Sequence, residues 1–245
     1  MSGKIVFGGF SIGDYKDIPV RVLEMMDTAD IVAVEWMRMF ENHFKEMDRY
    51  PKAKVVEYNP MLPNTDEILE ELIQEAKNGK TILLLVCEGM PSVSDPGLEL
   101  SRRAREEEIE VTCIPGPSAI LAALSLSGID SNRFLLEPEV FEFKEERIRN
   151  FNTVKDYMQT LIYIVNRNSE AARYKDGTLN KNFLVESLED MVDIFGPKRP
   201  AALCFDITMK SELIIRKSLS ECLEWARNNI NHGLLTIVIE GYRHY

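Results

Sequence analysis

The chain has 245 residues, of which 45% are hydrophobic and 28% charged, with 13 Gly and 11 Pro. At roughly 100–200 residues per domain, this excludes a single small module, and the composition excludes a disordered, fibrous or disulfide-stapled chain. The balance of 29 Lys+Arg against 40 Asp+Glu gives a formal charge of −11, so the molecule as a whole repels phosphate backbones and a nucleic-acid partner would need a local basic patch. Cys87, Cys113, Cys204 and Cys222 lie far apart without a C-x-x-C pair, and His43, His232 and His244 have no metal-ligand spacing. They read as free thiols in a reducing compartment, with no metal site. The apolar stretch Ile5–Phe7 is too brief for a signal-peptide core, and the runs Ile82–Cys87 and Leu234–Ile239 are too short to span a bilayer. A soluble, cytoplasmic protein without a membrane partner is expected.

Short β-rich runs alternate with helical patterns from the start of the chain. Lys4–Phe7 reads as a strand, Pro19–Met26 as a helix, Ile31–Glu35 as a strand and Met37–Met47 as a helix. After a strand at Lys54–Tyr58 comes the clearest helix, with Ile68, Leu69, Leu72, Ile73 and Ala76 forming one apolar stripe. Asn64 is placed to cap it with Glu67 at the third position, and Gly79 to close it. Thr81–Val86 is apolar on both faces, as a central strand covered by helices would be. A helix near Gly97–Glu107, a strand at Val111–Ile114 and a helix from Pro117 to Leu126, ending at Gly128, complete a βαβ pattern and hence a parallel sheet.

The texture then changes. Glu137-Pro138-Glu139 breaks regularity, and a charged helix is expected over Phe143–Met158, a strand at Leu161–Val165, a polar loop through Gly177 and a helix at Phe183–Phe195. Strands at Ala201–Thr208 and Glu212–Arg216, a helix from Ser218 and a strand at Leu234–Glu240 follow. The connection from Asp206 to Arg216 is short enough for a hairpin, so this second α/β unit should have mixed strand directions. Two domains are expected, residues 1–118 and 119–245.

Three loops leave strands of the first half and could hold a ligand. Gly8-Gly9-Phe10-Ser11-Ile12-Gly13-Asp14 fails both the dinucleotide fingerprint and the P-loop spacing, which leaves a glycine-rich turn at a strand's carboxyl end, where open α/β sheets bind ligands. In Cys87-Glu88-Gly89-Met90-Pro91-Ser92-Val93-Ser94-Asp95-Pro96-Gly97, the plain reading is that Ser94 or Asp95 caps the next helix. That reading leaves Glu88 unexplained, because a carboxylate at the tip of a central strand calls for a polar or cationic partner. Ile114-Pro115-Gly116-Pro117-Ser118-Ala119 again enters a helix, whose free amides form an acceptor-binding nest.

The motifs Pro91-Ser92-Val93-Ser94-Asp95-Pro96-Gly97 and Ile114-Pro115-Gly116-Pro117-Ser118-Ala119 resemble the tetrapyrrole (corrin/porphyrin) methylase family, class III S-adenosylmethionine-dependent methyltransferases. Within it the resemblance is greatest to small-subunit ribosomal RNA cytidine 2′-O-ribose methyltransferases. Their P-x-P-I-G-N becomes Gly9-Phe10-Ser11-Ile12-Gly13-Asp14, and their E-D-T-R becomes Glu35-Trp36-Met37-Arg38. Asp206-Ile207-Thr208 with Glu212 resembles the family's E-x-T-x-x-x-E, and Ser218-Leu219-Ser220 and Gly233…Ile239-Glu240-Gly241 resemble its closing segment. The resemblance implies two α/β domains with S-adenosyl-L-methionine in the cleft between them, and a homodimer. It nominates Ile12, Gly13, Cys87, Glu88, Gly89, Val93, Ser94, Ser118 and Ala119 for the methionine part of the donor, and the segment Asp206, Ile207 and Thr208 for adenine.

The chain departs from the family at three places. The aspartate that opens the family's second loop is Cys87 here and its small neighbour is Glu88, so Glu88 is expected to take over the acidic role. The family's E-S-P-H-R has no counterpart after Thr160-Leu161-Ile162-Tyr163, which leads into Ile164-Val165-Asn166-Arg167-Asn168. The sequence ends at Tyr245, where the ribosomal enzymes commonly continue.

Methyl transfer from a sulfonium is an in-line displacement that chiefly needs alignment and a dry site. A ribose hydroxyl benefits from a base, for which Glu35 and Asp14 are candidates, with Arg38 available to a phosphate; the alternative for each is a solvated or capping charge. Arg102-Arg103-Arg105, Arg147-Arg149 and Lys198-Arg199 are basic clusters, the first more consistent with a salt-laced helix face. Trp36 and Tyr15 could stack on a base or belong to the core, and Met25, Met26, Met37 and Met39 read as packing. The acceptor is expected to be ribosomal RNA or the small ribosomal subunit; the alternatives are a tetrapyrrole or other small molecule, and a binding protein that has lost catalysis.

Overall fold

The computed structural model describes residues 3–137, 140–141, 143–165, 183–229 and 233–243. Pro138, Glu139, Asn166–Asn168, the polar loop through Gly177, His232, His244 and Tyr245 lie outside them. Chain contacts separate two compact units, Met1–Ser118 and Ala119–Tyr245.

The first unit carries five strands, β1 (Lys4–Gly8), β2 (Ile31–Val34), β3 (Lys54–Glu57), β4 (Thr81–Leu85) and β5 (Glu110–Ile114). They pair in the order β3-β2-β4-β1-β5, and every pairing is parallel. Successive side chains point to opposite faces of a strand, and both faces are covered. Val6, Val32, Leu83 and Leu85 pack with Val22 and Met26 of α1 (Val20–Thr28) and Phe40 and Phe44 of α2 (Met37–Glu46). Ile5, Ala33, Ile82 and Leu84 pack with Leu69, Leu72 and Ile73 of α3 (Thr65–Lys77) and Leu100 and Ala104 of α4 (Leu98–Glu106). This is why β4 is apolar throughout.

Helix starts depart from expectation at three places. Asn64 precedes α3 but makes no side-chain cap, and the first turn instead carries Asp66 and Glu67 against the helix dipole. At the other end, Gly79 (φ +92°) donates to Ala76 O at 3.0 Å and Lys80 to Glu75 O at 3.1 Å, a full Schellman closure. The N-cap position of α4 falls on Gly97, without a side-chain bond, rather than on Ser94 or Asp95. The helix after β5 starts at Ala119 rather than Pro117.

The second unit contains α5 (Ala119–Ser127), β6 (Phe134–Leu136), α6 (Lys144–Val154), β7 (Thr160–Val165), α7 (Phe183–Phe195), β8 (Pro200–Phe205), β9 (Leu213–Ser218), α8 (Leu219–Asn228) and β10 (Leu235–Ile239). Its sheet runs β6-β7-β10-β8-β9, parallel only between β6 and β7, and β8 and β9 form the expected hairpin. Leu161, Tyr163, Leu203, Phe205, Ile237 and Ile239 face α6, α7 and α8, packing with Phe151, Leu188, Met191 and Leu223. On the other face, Cys204 Sγ lies 3.9 Å from Ala123 O of α5. Ser218 caps α8 in a capping box with Glu221.

The basic clusters resolve differently. Arg103 is paired with Glu70, Glu106 and Glu107, the salt-laced face expected for it. Arg147 is not a surface cation: its side chain is 2% exposed and its guanidinium meets Asp190 Oδ2 at 2.6 and 2.8 Å, with Phe141 O at 3.1 Å. Arg199 turns inward, donating to Glu240 O at 2.6 Å and Lys155 O at 2.7 Å.

Candidate functional site

Because all strands of the first unit run the same way, the segments after β2, β4, β1 and β5 leave one edge of the sheet side by side. Hydrogen bonds join them into a continuous belt. Glu35 Oε2 accepts from the Cys87 amide at 3.0 Å, Gly89 O accepts from the Phe10 amide at 2.7 Å, and Ile114 O accepts from the Gly9 amide at 2.9 Å. The three predicted loops therefore converge within one unit.

Gly89 lies at their meeting point with φ +74°, a conformation that favours glycine. A Cβ there would stand 3.7 Å from Pro117 O and 3.9 Å from Ile12 Cγ2, so the missing side chain leaves a cradle walled by the β5 and β1 loops. Val93 is 43% exposed and Ser94 is exposed, and Ser92 and Ser94 hold φ of +73° and +63°. Left-handed backbone costs a non-glycine residue roughly 1–2 kcal/mol. Among the described residues it recurs at Asp48, Glu108, Asp206 and Thr208, so four of the six such positions fall in two nominated segments. Strain concentrated this way marks segments held for function.

Cys87 is buried, its thiol pushed well up by burial and then by Glu35, so it serves as a small apolar group and not as a thiolate. Its Sγ lies 3.7 Å from Met39 Sδ, and Met39 is 43% exposed at the site's margin rather than packed in the core. Glu88 is exposed as a residue, yet its carboxyl is pushed up to about 7, first by burial and then by Glu35. The charged group that acts on it is a second carboxylate, where the sequence calls for a polar or cationic partner.

On the β1 loop, Ile12 is buried and Asp14 Oδ1 accepts from Lys16 N at 2.9 Å, capping a 3-10 turn at Tyr15–Asp17. The Tyr15 hydroxyl bonds Glu46 Oε2 at 2.8 Å and His43 Nδ1 at 2.9 Å, tying the loop to α2. Burial and Glu46 push that phenol up to about 12, while burial lowers the His43 pKa. Tyr15 is thus held at its hydroxyl. Trp36 packs against the core, and Arg38 is exposed. In the second unit, Asp206 Oδ1 accepts from Leu234 N at 2.8 Å, and the Thr208 amide donates to Glu212 Oε2 at 2.8 Å. Ile207 between them is buried. His43, Met39 and the Glu35–Cys87 bond were not foreseen; no local pattern marks a contact made across 48 or 52 positions.

A model of the tetrapyrrole (corrin/porphyrin) methylases matches residues 4–223. The chain belongs to this family. Curated relatives named "Ribosomal RNA small subunit methyltransferase I" are 29% identical over 241 residues in Mycobacterium bovis, covering 98% of this chain and 78% of that protein. In Buchnera aphidicola the figures are 30% over 240 residues, with 95% and 77% covered. Among solved structures, a diphthine synthase superposes with TM-score 0.71 at 18% identity, over 99% of this chain and 92% of its own. A cobalt precorrin-4 methyltransferase gives 0.63 at 16%, over 97% and 94%. This methylase-family chain is an S-adenosylmethionine-dependent methyltransferase of the class III fold. Around Gly89, apolar Ile12 Cγ2 and the Pro117 carbonyl oxygen stand 3.9 and 3.7 Å from where a Cβ would be, a mixed apolar and polar lining of the kind the methionine part of that donor calls for. No helix among the described residues is long and apolar enough to cross a membrane, and no group of three His, Cys, Asp or Glu among them could hold a metal ion.

Proposed function

We propose that the chain methylates a ribose 2′-hydroxyl of small-subunit ribosomal RNA. The single observation that carries this acceptor is the similarity to the ribosomal RNA small subunit methyltransferases, which runs at 29–30% identity over nearly the whole chain. The solved small-molecule enzymes resemble it at 16–17%. S-adenosylmethionine supplies an electrophilic methyl group already bonded to a good leaving group. The protein's part is alignment and exclusion of water. Ile12, Gly13, Gly89, Val93, Ser94, Ser118 and Ala119 shape and line the donor's place, with Cys87 packed beneath it. Glu88 supplies the acidic group that meets the donor's ammonium. Arg38 steadies an acceptor phosphate, and Asp14, exposed at the β1 loop, stands on the acceptor side.

A second reading, a small acceptor molecule, is favoured by the charge of −11 and by the engagement of Arg103, Arg147 and Arg199 in internal contacts. Transfer of tritiated methyl groups to purified small subunits, naked RNA and a small-molecule extract separates the two. Label in the subunits or RNA, weakened steeply by salt, is the expected result. Label confined to the extract would overturn it.

A further inference from the structure

We infer that Glu35 is a positioning residue for the donor loops: its carboxylate holds the Cys87 amide in register, and so sets the turn that opens the cradle at Gly89. This rests on the donor site proposed above.

In a parallel ladder a residue donates its N–H to one residue of the neighbouring strand and accepts, through its C=O, from the residue two further on. Val34 pairs with Leu85, so Glu35 comes level with Val86. Its amide donates to Leu85 O at 3.2 Å, as the ladder requires. The matching acceptor for Cys87 N–H is the side-chain Oε2 of Glu35, at 3.0 Å. The carboxylate thus takes the place of a main-chain carbonyl. The substitution has a physical reason: at Trp36 the chain turns into α2, and the Trp36 carbonyl accepts from the Met39 and Phe40 amides of that helix. A main chain that turns away cannot continue the ladder, and without the carboxylate the Cys87 amide would be a buried donor without a strong acceptor.

Cys87 is two residues before Gly89, whose carbonyl holds the β1 loop through Phe10. Fixing the Cys87 amide fixes where the left-handed turn at Gly89 begins, and with it the distance from Gly89 to Ile12 and Pro117. An oxygen engaged in this way is oriented toward β4, which argues for positioning over proton abstraction from an acceptor hydroxyl.

The test compares Glu35→Gln, which keeps a neutral oxygen acceptor, with Glu35→Ala, which keeps none, by calorimetry with S-adenosylmethionine and S-adenosylhomocysteine. Deuterium exchange is followed in parallel on the peptide spanning Val86–Gly89. Loss of a hydrogen bond to a charged acceptor predicts that Glu35→Ala weakens both ligands by about tenfold or more and speeds exchange of that peptide. Glu35→Gln should stay within about twofold of the natural protein on both readouts. If Glu35→Ala does not fold, Glu35→Asp, whose shorter arm withdraws the oxygen, takes its place, with a weakening of severalfold expected. Unchanged ligand affinity in Glu35→Ala or Glu35→Asp would overturn the inference, and so would a loss in Glu35→Gln as large as in Glu35→Ala. Should the natural protein bind neither ligand, the donor site itself fails, an outcome distinct from variants that all bind like the natural protein.

Discussion

Gly9 and Gly116 meet backbone to backbone across the β1 and β5 loops. A Cβ on Gly9 would lie 2.5 Å from Gly116 Cα and N, and one on Gly116 would lie 2.7 Å from Gly9 Cα. Both obstacles are main chain, which cannot swing aside as a side chain can. Gly9→Ala should therefore destabilise the first unit by about 3 kcal/mol, the upper range for overpacking, seen as a lower urea midpoint with unchanged slope. A midpoint within error of the natural protein would mean that the loops can part without cost.

Gly89 poses a different problem, because a methyl group there has room but enters the cradle. Its contacts at 3.7 and 3.9 Å are ordinary packing distances, so the cost to folding is the left-handed φ of +74°, about 1 kcal/mol. The cost to the donor should be larger. Gly89→Ala is expected to weaken S-adenosylhomocysteine by at least about tenfold in calorimetry, while its melting temperature falls by only a few degrees. Equal affinity would place the donor elsewhere.

Much of this arrangement is legible in the sequence because it follows from local pattern. The alternation of short apolar runs with helical stripes predicts a parallel sheet, and a parallel sheet gathers every strand-end loop on one edge. The short link from Asp206 to Arg216 predicts the β8–β9 hairpin in the same way. What the sequence hides is long-range partnership. Arg147 sits in a charged stretch and reads as part of a basic cluster until Asp190, 43 positions away, is brought against it. Glu35 reads as a base until β4 pairs beside it. Asn64, Ser94 and Asp95 have the chemistry of caps, and only the backbone geometry of each turn shows that Asn64 makes no side-chain cap and that Gly97 takes the N-cap position of α4.

The Arg147–Asp190 pair should behave as an internal strut. Asp190 also meets Lys144 Nζ at 3.5 Å, but that lysine is exposed and cannot replace the buried partner. Asp190→Leu strands a guanidinium that is 2% exposed, so a loss of about 3–5 kcal/mol is expected by urea denaturation. Arg147→Met with Asp190→Leu should recover most of it. If Arg147 bound RNA, the double variant would flatten the salt dependence of RNA association; an unchanged slope is expected.

Glu88 makes the chemistry of the donor loop depend on pH in a direction that can be worked out. Its carboxyl holds a proton up to about 7 when folded, against an ordinary value of 4.5, so the folded state binds that proton more tightly than the unfolded state does. The stability this contributes is fully present below about 4.5 and is lost as pH rises through about 7. Glu88→Gln, which cannot ionise, should flatten the decline of the urea midpoint across that interval. The donor's ammonium favours the ionised carboxylate, so S-adenosylmethionine affinity should tighten as pH rises through about 7 in the natural protein and stay level in Glu88→Gln. Because Glu35 is the second cause of the shift, Glu35→Gln should move the inflection to lower pH. Calorimetry at a series of pH values, with the Glu88 carboxyl followed by carbon-13 resonance, checks all three; the same pH profile with and without Glu88 would remove this residue from the donor's ammonium.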